Sequence, residues 1–444
     1  PDVEAFYPGN AMVTAPEILF FWVARMIMMG YEFFGEPPFT EVYLHGTVRD
    51  MKGRKMSKSL GNGIDPLEVV NTFGADAMRY TLVSQAAVGT DISLDHEDVE
   101  AAFANGRNFA NKVWNAGRFA LLSVGDAPVK QLSEVEPDLA LEDRWILSRA
   151  AVAAEESRAA WEALDPPKAL RALEKLVVEE LSNWYIRRSR RRFWSGGGDA
   201  ACAFSTLHEV LGMVARMAAP ATPFLAESLW GRLGESGSVH LAPFPDPSLP
   251  ETGFQADSRD LALEAAMDGI VRAATLGRAV RERARIRVRQ PLQKVLVHVA
   301  GASPGDGGAS PRDYEDALRE ELNVKEVEWV EGTPEFLEVR GKANFRALGP
   351  RAGKNMKALA AAIAGLDRET LFRIQGGGEV EVDLEGAPFT LGPGDVEVEA
   401  LGVEGLEAAS DSKVTLGLEV EITPELACEG LAREILNRVQ TQRR

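Results

Sequence analysis

Cysteine is scarce in this 444-residue chain: Cys202 and Cys428 are the only two, far apart and without partner His or Cys at ligand spacing. That excludes a disulfide framework and a Cys-rich zinc site, and it suits a reducing compartment. Long apolar runs are lacking too. The longest, Ile18 to Met29, is broken by Arg25, and it falls short of the roughly 20 residues a membrane-spanning helix needs. No secretory pattern opens the chain. Net positive charge is also absent, since 49 Lys+Arg against 67 Asp+Glu leave −18, a balance that argues against a generic nucleic-acid binder. What remains is 45% hydrophobic and 26% charged, the composition of a soluble globular protein long enough for about three domains.

The basic residues are unevenly placed. Arg187, Arg188, Arg190, Arg191 and Arg192 form one cluster, and Arg278, Arg281, Arg283, Arg285, Arg287 and Arg289 form another. Local stripes on an acidic body suit a protein that touches a polyanion at defined places. Solvated helix faces balanced by nearby Glu are the other reading.

Residues 1 to about 95 alternate short apolar strands, loops and helices. Glu17 to Phe34 reads as a nearly all-apolar helix buried on most sides, with Phe20 and Phe21 in the core. Thr40 to Val48 reads as a strand and Asp50 to Gly63 as a Lys/Gly/Ser-rich loop. Asp65, Pro66 and Glu68 form a helix start, Gly74 ends that helix, and Asp76 starts the next. This order predicts an open α/β sheet whose loops gather at one edge. From Asp98 to about Leu233 the pattern is helical: Phe109, Val113, Ala116, Ala120 and Leu121 fall at helical spacing, as do Ile146, Ala150, Ala153 and Ala154. Ser195 to Asp199 reads as a loop inside this helix bundle. A Pro/Gly-rich linker covers 241–260. After a helix from about Asp260 to Arg285, alternation at Val295/Val297/Val299, Val380/Val382 and Leu416/Leu418/Val420/Ile422 predicts an α+β domain over 261–444, with a further loop at 301–312. Pro1 is no initiator and the last residues read as a helix without a stop signal, so an excerpt from a longer protein is expected.

The strongest chemical signal is Lys55-Met56-Ser57-Lys58-Ser59, between Gly53-Arg54 and Leu60-Gly61-Asn62. Such a loop offers two ammonium groups, hydroxyls and unhindered backbone N–H groups, which can close over a triphosphate and neutralise charge that develops as pyrophosphate leaves. It is not a Walker loop, because the GxxxxGK[ST] spacing is absent. A chance match is expected in only roughly one chain of this size in several thousand.

This string resembles the second signature of class I aminoacyl-tRNA synthetases. His45-Gly46 stands at the distance that family uses for its adenine-side contact. Asp65-Pro66-Leu67 and Gly74 to Arg79 are similar to the helices that follow the loop in the subgroup specific for branched aliphatic amino acids. Phe20 to Met26 resembles the pocket helix of valyl enzymes, with Trp22 as the pocket wall, and Asn108 to Lys112, Trp114-Asn115 and Arg118-Phe119 also look valyl. Thr14-Ala15-Pro16-Glu17 departs from the family's usual Thr-Gly-x-Asp: it keeps the acid but lengthens it and adds a Cβ at Ala15. Downstream, Asp143 to Arg149, Leu181 to Trp194, Val288 to Leu292, Ala343 to Pro350 and Glu429 to Glu434 look isoleucyl. The resemblance covers nearly the whole chain.

The resemblance implies the C-terminal half of a Rossmann-like catalytic domain (1–95), an α-helical anticodon-binding domain (96–240), the linker, and a truncated, tRNA-contacting α+β domain (261–444). It implies ATP bound by His45, Gly46 and Lys55 to Ser59 (Met56 included), with Lys55, Ser57 and Lys58 as the catalytic set. Glu17 and Trp22 would form the amino-acid and adenylate pocket. Arg187, Arg188, Arg190 and Arg191 would contact tRNA, with Trp184, Tyr185, Phe193 and Trp194 as apolar anchors, the alternative being arginines paired with Glu179 and Glu180. Mg²⁺ would come with the nucleotide, without a protein metal site. The implied protein is a cytoplasmic, monomeric valine--tRNA ligase. The alternatives are an isoleucine--tRNA ligase, a non-catalytic tRNA-binding module and a small-molecule nucleotidyltransferase. The family's first signature, His-x-Gly-His, and its editing domain do not occur in this sequence, so this stretch alone is not expected to activate an amino acid.

Overall fold

The computed structural model describes residues 2–124, 129–195, 197–246, 259–299, 311–330, 337–384, 387–402, 405–411 and 413–442. The chain divides into two compact units, Pro1–Asp260 and Leu261–Arg444.

The first unit opens with α1 (Asp2–Phe6), β1 (Gly9–Thr14), α2 (Ala24–Phe34), β2 (Phe39–Leu44), β3 (Val48–Arg49), α3 (Pro66–Phe73), α4 (Ala75–Val83) and β4 (Ile92–Ser93). β1 pairs with β2 in parallel, from Gly9 opposite Phe39 to Thr14 opposite Leu44. β3 pairs with β4 in parallel, Val48 opposite Ile92. Parallel pairs need helical crossovers, here α2 for the first and α3–α4 for the second. This is the α/β class expected, and it brings the ends of β1 and β2 beside the loop that follows β3.

Four local expectations change. The Glu17–Phe34 stretch is not one regular helix: a tight turn at Pro16–Ile18 and wide π-type turns at Leu19–Val23 precede α2. Nor is it buried. Phe20 is 82% exposed and Phe21 59%, so neither is core. Only Val23 and Gly30 are buried along it, and a Cβ on Gly30 would meet Tyr7 Oη at 2.7 Å and Pro38 Cδ at 2.8 Å. An apolar sequence shows that a helix favours cover but not which of its sides receives it. Next, the Thr40–Val48 strand is interrupted at 45–47, for a steric reason given below. The Asp65 cap holds, with its carboxylate accepting the Leu67 N–H at 2.9 Å ahead of Pro66. Asp76, however, does not begin α4, which starts at Ala75.

The helical part comprises α5 (Val99–Val124), α6 (Leu132–Val135), α7 (Leu141–Glu162), α8 (Pro166–Glu174), α9 (Arg187–Ser195), α10 (Gly197–Ala218) and α11 (Pro223–Arg232), with wide π-type turns at Lys175–Ile186 joining α8 to α9. The spaced apolar residues are buried as expected, except Leu121, which is 37% exposed. Tyr80 of α4 stacks on Phe109 of α5 at 4.2 Å. Asp76 Oδ2 accepts the Leu225 N–H at 2.6 Å in the first turn of α11. Arg79 donates to the carbonyls of Ala221 (3.2 Å) and Pro220 (3.3 Å). The loop expected at 195–199 is mostly helix, since α9 reaches Ser195 and α10 begins at Gly197; Gly196 lies outside the described residues. Most of the expected linker, 247–258, lies outside them as well, after a tight turn at Val239–Leu241.

The second unit contains α12 (Leu261–Arg283), β5 (Leu292–Val299), α13 (Pro311–Leu322), β6 (Val324–Trp329), β7 (Leu337–Ala343), α14 (Phe345–Ala352), α15 (Met356–Ala364), α16 (Arg368–Gln375), β8 (Val380–Leu384), β9 (Ala387–Leu391), β10 (Val396–Gly402), β11 (Leu406–Ser410), β12 (Val414–Glu419) and α17 (Pro424–Gln442). One four-stranded sheet runs β11-β12-β5-β6, and α12 packs on it. The β7–β10 and β8–β9 pairs enclose a core around Leu348, Leu359, Ile363, Leu371 and Leu391. Both apolar alternations at 292–299 and 380–384 are strands. The one at 414–422 stops at Glu419, and Ile422 is 41% exposed. Of the loop expected at 301–312, residues 301–310 lie outside the described residues, and Pro311 and Arg312 belong to α13. Among the described residues no helix is long and apolar enough to cross a membrane.

Candidate active site

The ends of β1 and β2 and the start of β3 frame an open cleft of about 400 Å³, lined by Ala15, Glu17, His45, Gly46, Val48, Lys55 and Ile92 among others. Its floor depends on a glycine. A Cβ at Gly46 would sit 1.8 Å from the Thr90 carbonyl oxygen and 2.8 Å from Asp91 Cα. Only a residue without a side chain lets the chain lie this flat between β2 and β3, and this close approach is what interrupts the strand. His45 is fixed at that crossing, its N–H donating to Thr14 O at 3.1 Å and its Nδ1 lying 2.8 Å from Gly46 O. Asp91 accepts the Thr47 N–H at 2.8 Å and pairs with Arg49. The first contact, aided by the second, holds its carboxyl below the usual carboxylate range.

The Lys/Ser loop is built on two polar residues that sequence reasoning did not single out. Asp50 is 1% exposed and Asn62 1%. Asp50 accepts the N–H groups of Lys52 (3.0 Å) and Arg54 (2.9 Å), Arg54 Nε (2.8 Å) and Asn62 Nδ2 (3.0 Å). Asn62 donates from Nδ2 to Lys55 O at 3.3 Å and accepts the Ser57 N–H at Oδ1 at 2.9 Å. The Asn62 amide, then Arg54 and Lys52, hold the Asp50 carboxyl well below the usual range, although burial pushes it up. A buried polar group is stable only when its bonds are made, and these two satisfy each other. The one signal in the sequence was their position, at the two ends of a loop.

The backbone is therefore less open than expected. The N–H groups of Lys52, Arg54, Met56, Ser57, Leu60 and Gly61 all bond within the chain, so the loop presents mainly side chains. Ser57 Oγ accepts the Leu60 N–H at 3.3 Å and lies 3.2 Å from Ser59 Oγ. Lys55 pairs with Glu17 across the cleft, both side chains about half exposed. Lys58 is exposed in the tight turn Lys58–Leu60. Glu17, His45, Gly46 and Lys55 thus share one cleft, with Met56, Ser57, Lys58 and Ser59 on the loop that closes one side. Trp22 is not brought to them: it is 60% exposed and does not line the cleft. Among the described residues no group of three His, Cys, Asp or Glu could hold a metal ion.

On α9 the arginines divide between two faces. Arg187, Arg190 and Arg191 are exposed; Arg187 Nε bonds Asn183 O at 2.8 Å and Arg190 lies 5.9 Å from the Phe119 ring centroid. Arg188 turns inward, its side chain 6% exposed, bonded to Glu142 at 3.1 Å and 5.5 Å from the Trp184 ring centroid. Arg192 holds Asp143 through both terminal nitrogens and bonds Asp199. Tyr185 Oη donates to the same Asp143 at 2.7 Å. Glu180 pairs with Arg149 rather than with these arginines. Trp184, Tyr185 and Phe193 are buried as expected, whereas Trp194 is 72% exposed.

Of the six arginines in the second run, Arg281 is buried, Arg278 is half-buried, and Arg283, Arg285, Arg287 and Arg289 are exposed. Arg281 is 1% exposed and donates to the carbonyls of Arg287, Gln290, Leu322 and Asn323. Arg278 pairs with Glu321, Arg283 donates to Ala408 O, and Arg287 and Arg289 reach Glu434. Arg278, Arg283, Arg287 and Arg289 thus lie at the surface but keep partners within the second unit.

Comparison with known proteins bears on this arrangement. Residues 1–95 match the tRNA synthetases class I (I, L, M and V), and residues 143–296 match the anticodon-binding domain of tRNA ligase. The isoleucine--tRNA ligase of Bacteroides fragilis is 32% identical over 100% of this chain and 39% of its own length. That of Thermus thermophilus is 35% identical over 95% of this chain and 40% of its own. A solved ternary complex of Agrobacterium radiobacter K84 LeuRS with tRNA and LeuAMS shares 23% identity over 55% of this chain and 29% of that chain, with a TM-score of 0.43. The chain spans about two fifths of the length of the two curated relatives. Their names agree with the isoleucine alternative and lend the valine reading no support. The chain is thus similar to class I tRNA synthetases over residues 1–95 and to the anticodon-binding domain of tRNA ligase over residues 143–296.

Proposed function

We propose that the protein containing this chain is an aminoacyl-tRNA synthetase that joins isoleucine to its tRNA. The carrying observation is the cleft in which Glu17, His45, Gly46 and Lys55 meet beside the Lys55–Ser59 loop. The amino-acid carboxylate attacks the α-phosphorus of ATP in line, the bond to the bridging oxygen breaks, and pyrophosphate leaves an aminoacyl-adenylate. A ribose hydroxyl at the tRNA terminus then attacks the adenylate carbonyl and AMP departs. No nucleophilic side chain is required, since catalysis is positioning plus charge stabilisation.

His45 and Gly46 form the adenine side of the ATP site and Lys58 is the pyrophosphate-side cation, with Lys55, Met56, Ser57 and Ser59 shaping the loop. An exposed pair such as Lys55–Glu17 contributes at most about 1 kcal/mol. An arriving triphosphate can therefore take Lys55 from Glu17 and leave that acid for the amino-acid end. Mg²⁺ travels with the nucleotide. Residues 1–95 act as the catalytic half and 96–240 as the anticodon-binding part, joined through 241–260 to the tRNA-contacting domain 261–444. Arg187, Arg190 and Arg191 offer guanidinium planes to phosphates and unpaired bases. Arg188, held to Glu142, supports the helix from inside.

Amino-acid-dependent ATP–pyrophosphate exchange by the full-length protein tests this. Faster exchange with isoleucine than with valine is expected. Faster exchange with valine would restore the valine reading, and no exchange with either would favour a tRNA-binding module without catalysis.

A further inference from the structure

The geometry points to Asp50 and Asn62 as positioning residues that clamp the Lys55–Ser59 loop into a preassembled unit, so that only the turn at Lys58–Leu60 has to rearrange when substrate arrives. This rests on the synthetase reading of the cleft. Three observations carry it. Both side chains are almost fully buried in a loop whose other residues from Met51 to Leu60 are exposed or half-buried. Every polar atom of Asn62's amide is used, on Asp50 and Lys55 through Nδ2 and on Ser57 through Oδ1. The bonds fall on the backbone of Lys55 and Ser57 and on the segment before them, while Lys58 and Ser59 carry no bond to either residue. Neither Asp50 nor Asn62 lines the cleft, so they act through the loop rather than on substrate. Fixing a loop backbone before binding removes an ordering cost that would otherwise reduce the rate of the chemical step.

Asn62→Ala and Asn62→Asp test this, with Leu122→Ala as the control because it is 72% exposed and lies on α5, outside the loop. Asn62→Asp is isosteric, but it loses the Nδ2 donor and sets a second carboxylate against Asp50. In the full-length protein, isoleucine-dependent exchange should lose at least about tenfold in kcat in both Asn62 variants, with the isoleucine KM changed less than about twofold. In the 444-residue chain without substrates, trypsin should cut after Lys55 or Lys58 at least about fivefold faster in both variants, at an unchanged melting temperature. The control should behave as the parent in both assays. Wild-type behaviour of Asn62→Asp would overturn the clamp, as would equal cleavage rates. A melting temperature lowered by more than about 5 °C in both variants would assign these residues to folding instead. Absent exchange in the parent would sink the synthetase reading alone, and the cleavage comparison would still decide the clamp.

Discussion

Lys58 and Lys55 are close in sequence but differ in surroundings. Lys55 is engaged with Glu17, whereas Lys58 stands exposed in the tight turn and, among the described residues, has no ion-pair partner. A cation without a competing anion is the better group to meet charge that develops on departing pyrophosphate. Lys58→Ala in the full-length protein should lower the isoleucine-dependent exchange rate by at least roughly tenfold and leave tRNA binding within about twofold; exchange kinetics and a filter-binding titration measure the two, and equal exchange rates would sink the assignment. The arginines of α9 show the same division at short range. Arg188 and Arg192 are committed to Glu142 and Asp143, so charge counted along the sequence overstates what RNA can reach.

At the scale of elements, two helices are held together by an absent side chain. A Cβ at Gly106 of α5 would lie 2.1 Å from Ala77 O and 2.6 Å from Thr81 Oγ1 of α4. The close approach lets Tyr80 stack on Phe109 and keeps Asp76 and Arg79 within reach of the turn between α10 and α11. In an exposed helix Gly→Ala is favourable by about 1 kcal/mol, but here the backbone would have to move. Gly106→Ala should therefore destabilise the first unit by about 1–3 kcal/mol. Urea unfolding measures this, and a stability gain would show that the two helices can separate at little cost.

At the scale of the whole molecule, the chain is acidic, with a net charge of −18, and its two units have separate cores. The second unit closes its own sheet and its own cluster around Leu348 and Leu371, and it holds Arg281 inside on four backbone carbonyls. Residues 261–444 expressed alone should give a single cooperative thermal transition by far-UV circular dichroism, as domains of this length do. A broad, non-cooperative loss of signal would mean that this core is incomplete without the first unit.

The sequence by itself determined the chemistry-bearing loop, the cap at Asp65-Pro66, the helical stretch and its apolar spacing, and the strands at 292–299 and 380–384. Each is written in neighbouring residues or in a short period. It also pointed to the family, through a highly specific string, although the valine reading followed the Phe20–Met26 stretch, whose aromatic residues are exposed, and the Asn108–Phe119 stretch. Tertiary structure alone decided the rest. That Asp50 and Asn62 bond each other, that Gly46 must pass beneath Thr90, that Arg188 faces Glu142, and that Phe20 and Phe21 lie outside the core all depend on residues distant in sequence. Local pattern fixes which side of an element is apolar, but only the packed partner decides whether that side is covered and which polar groups are satisfied.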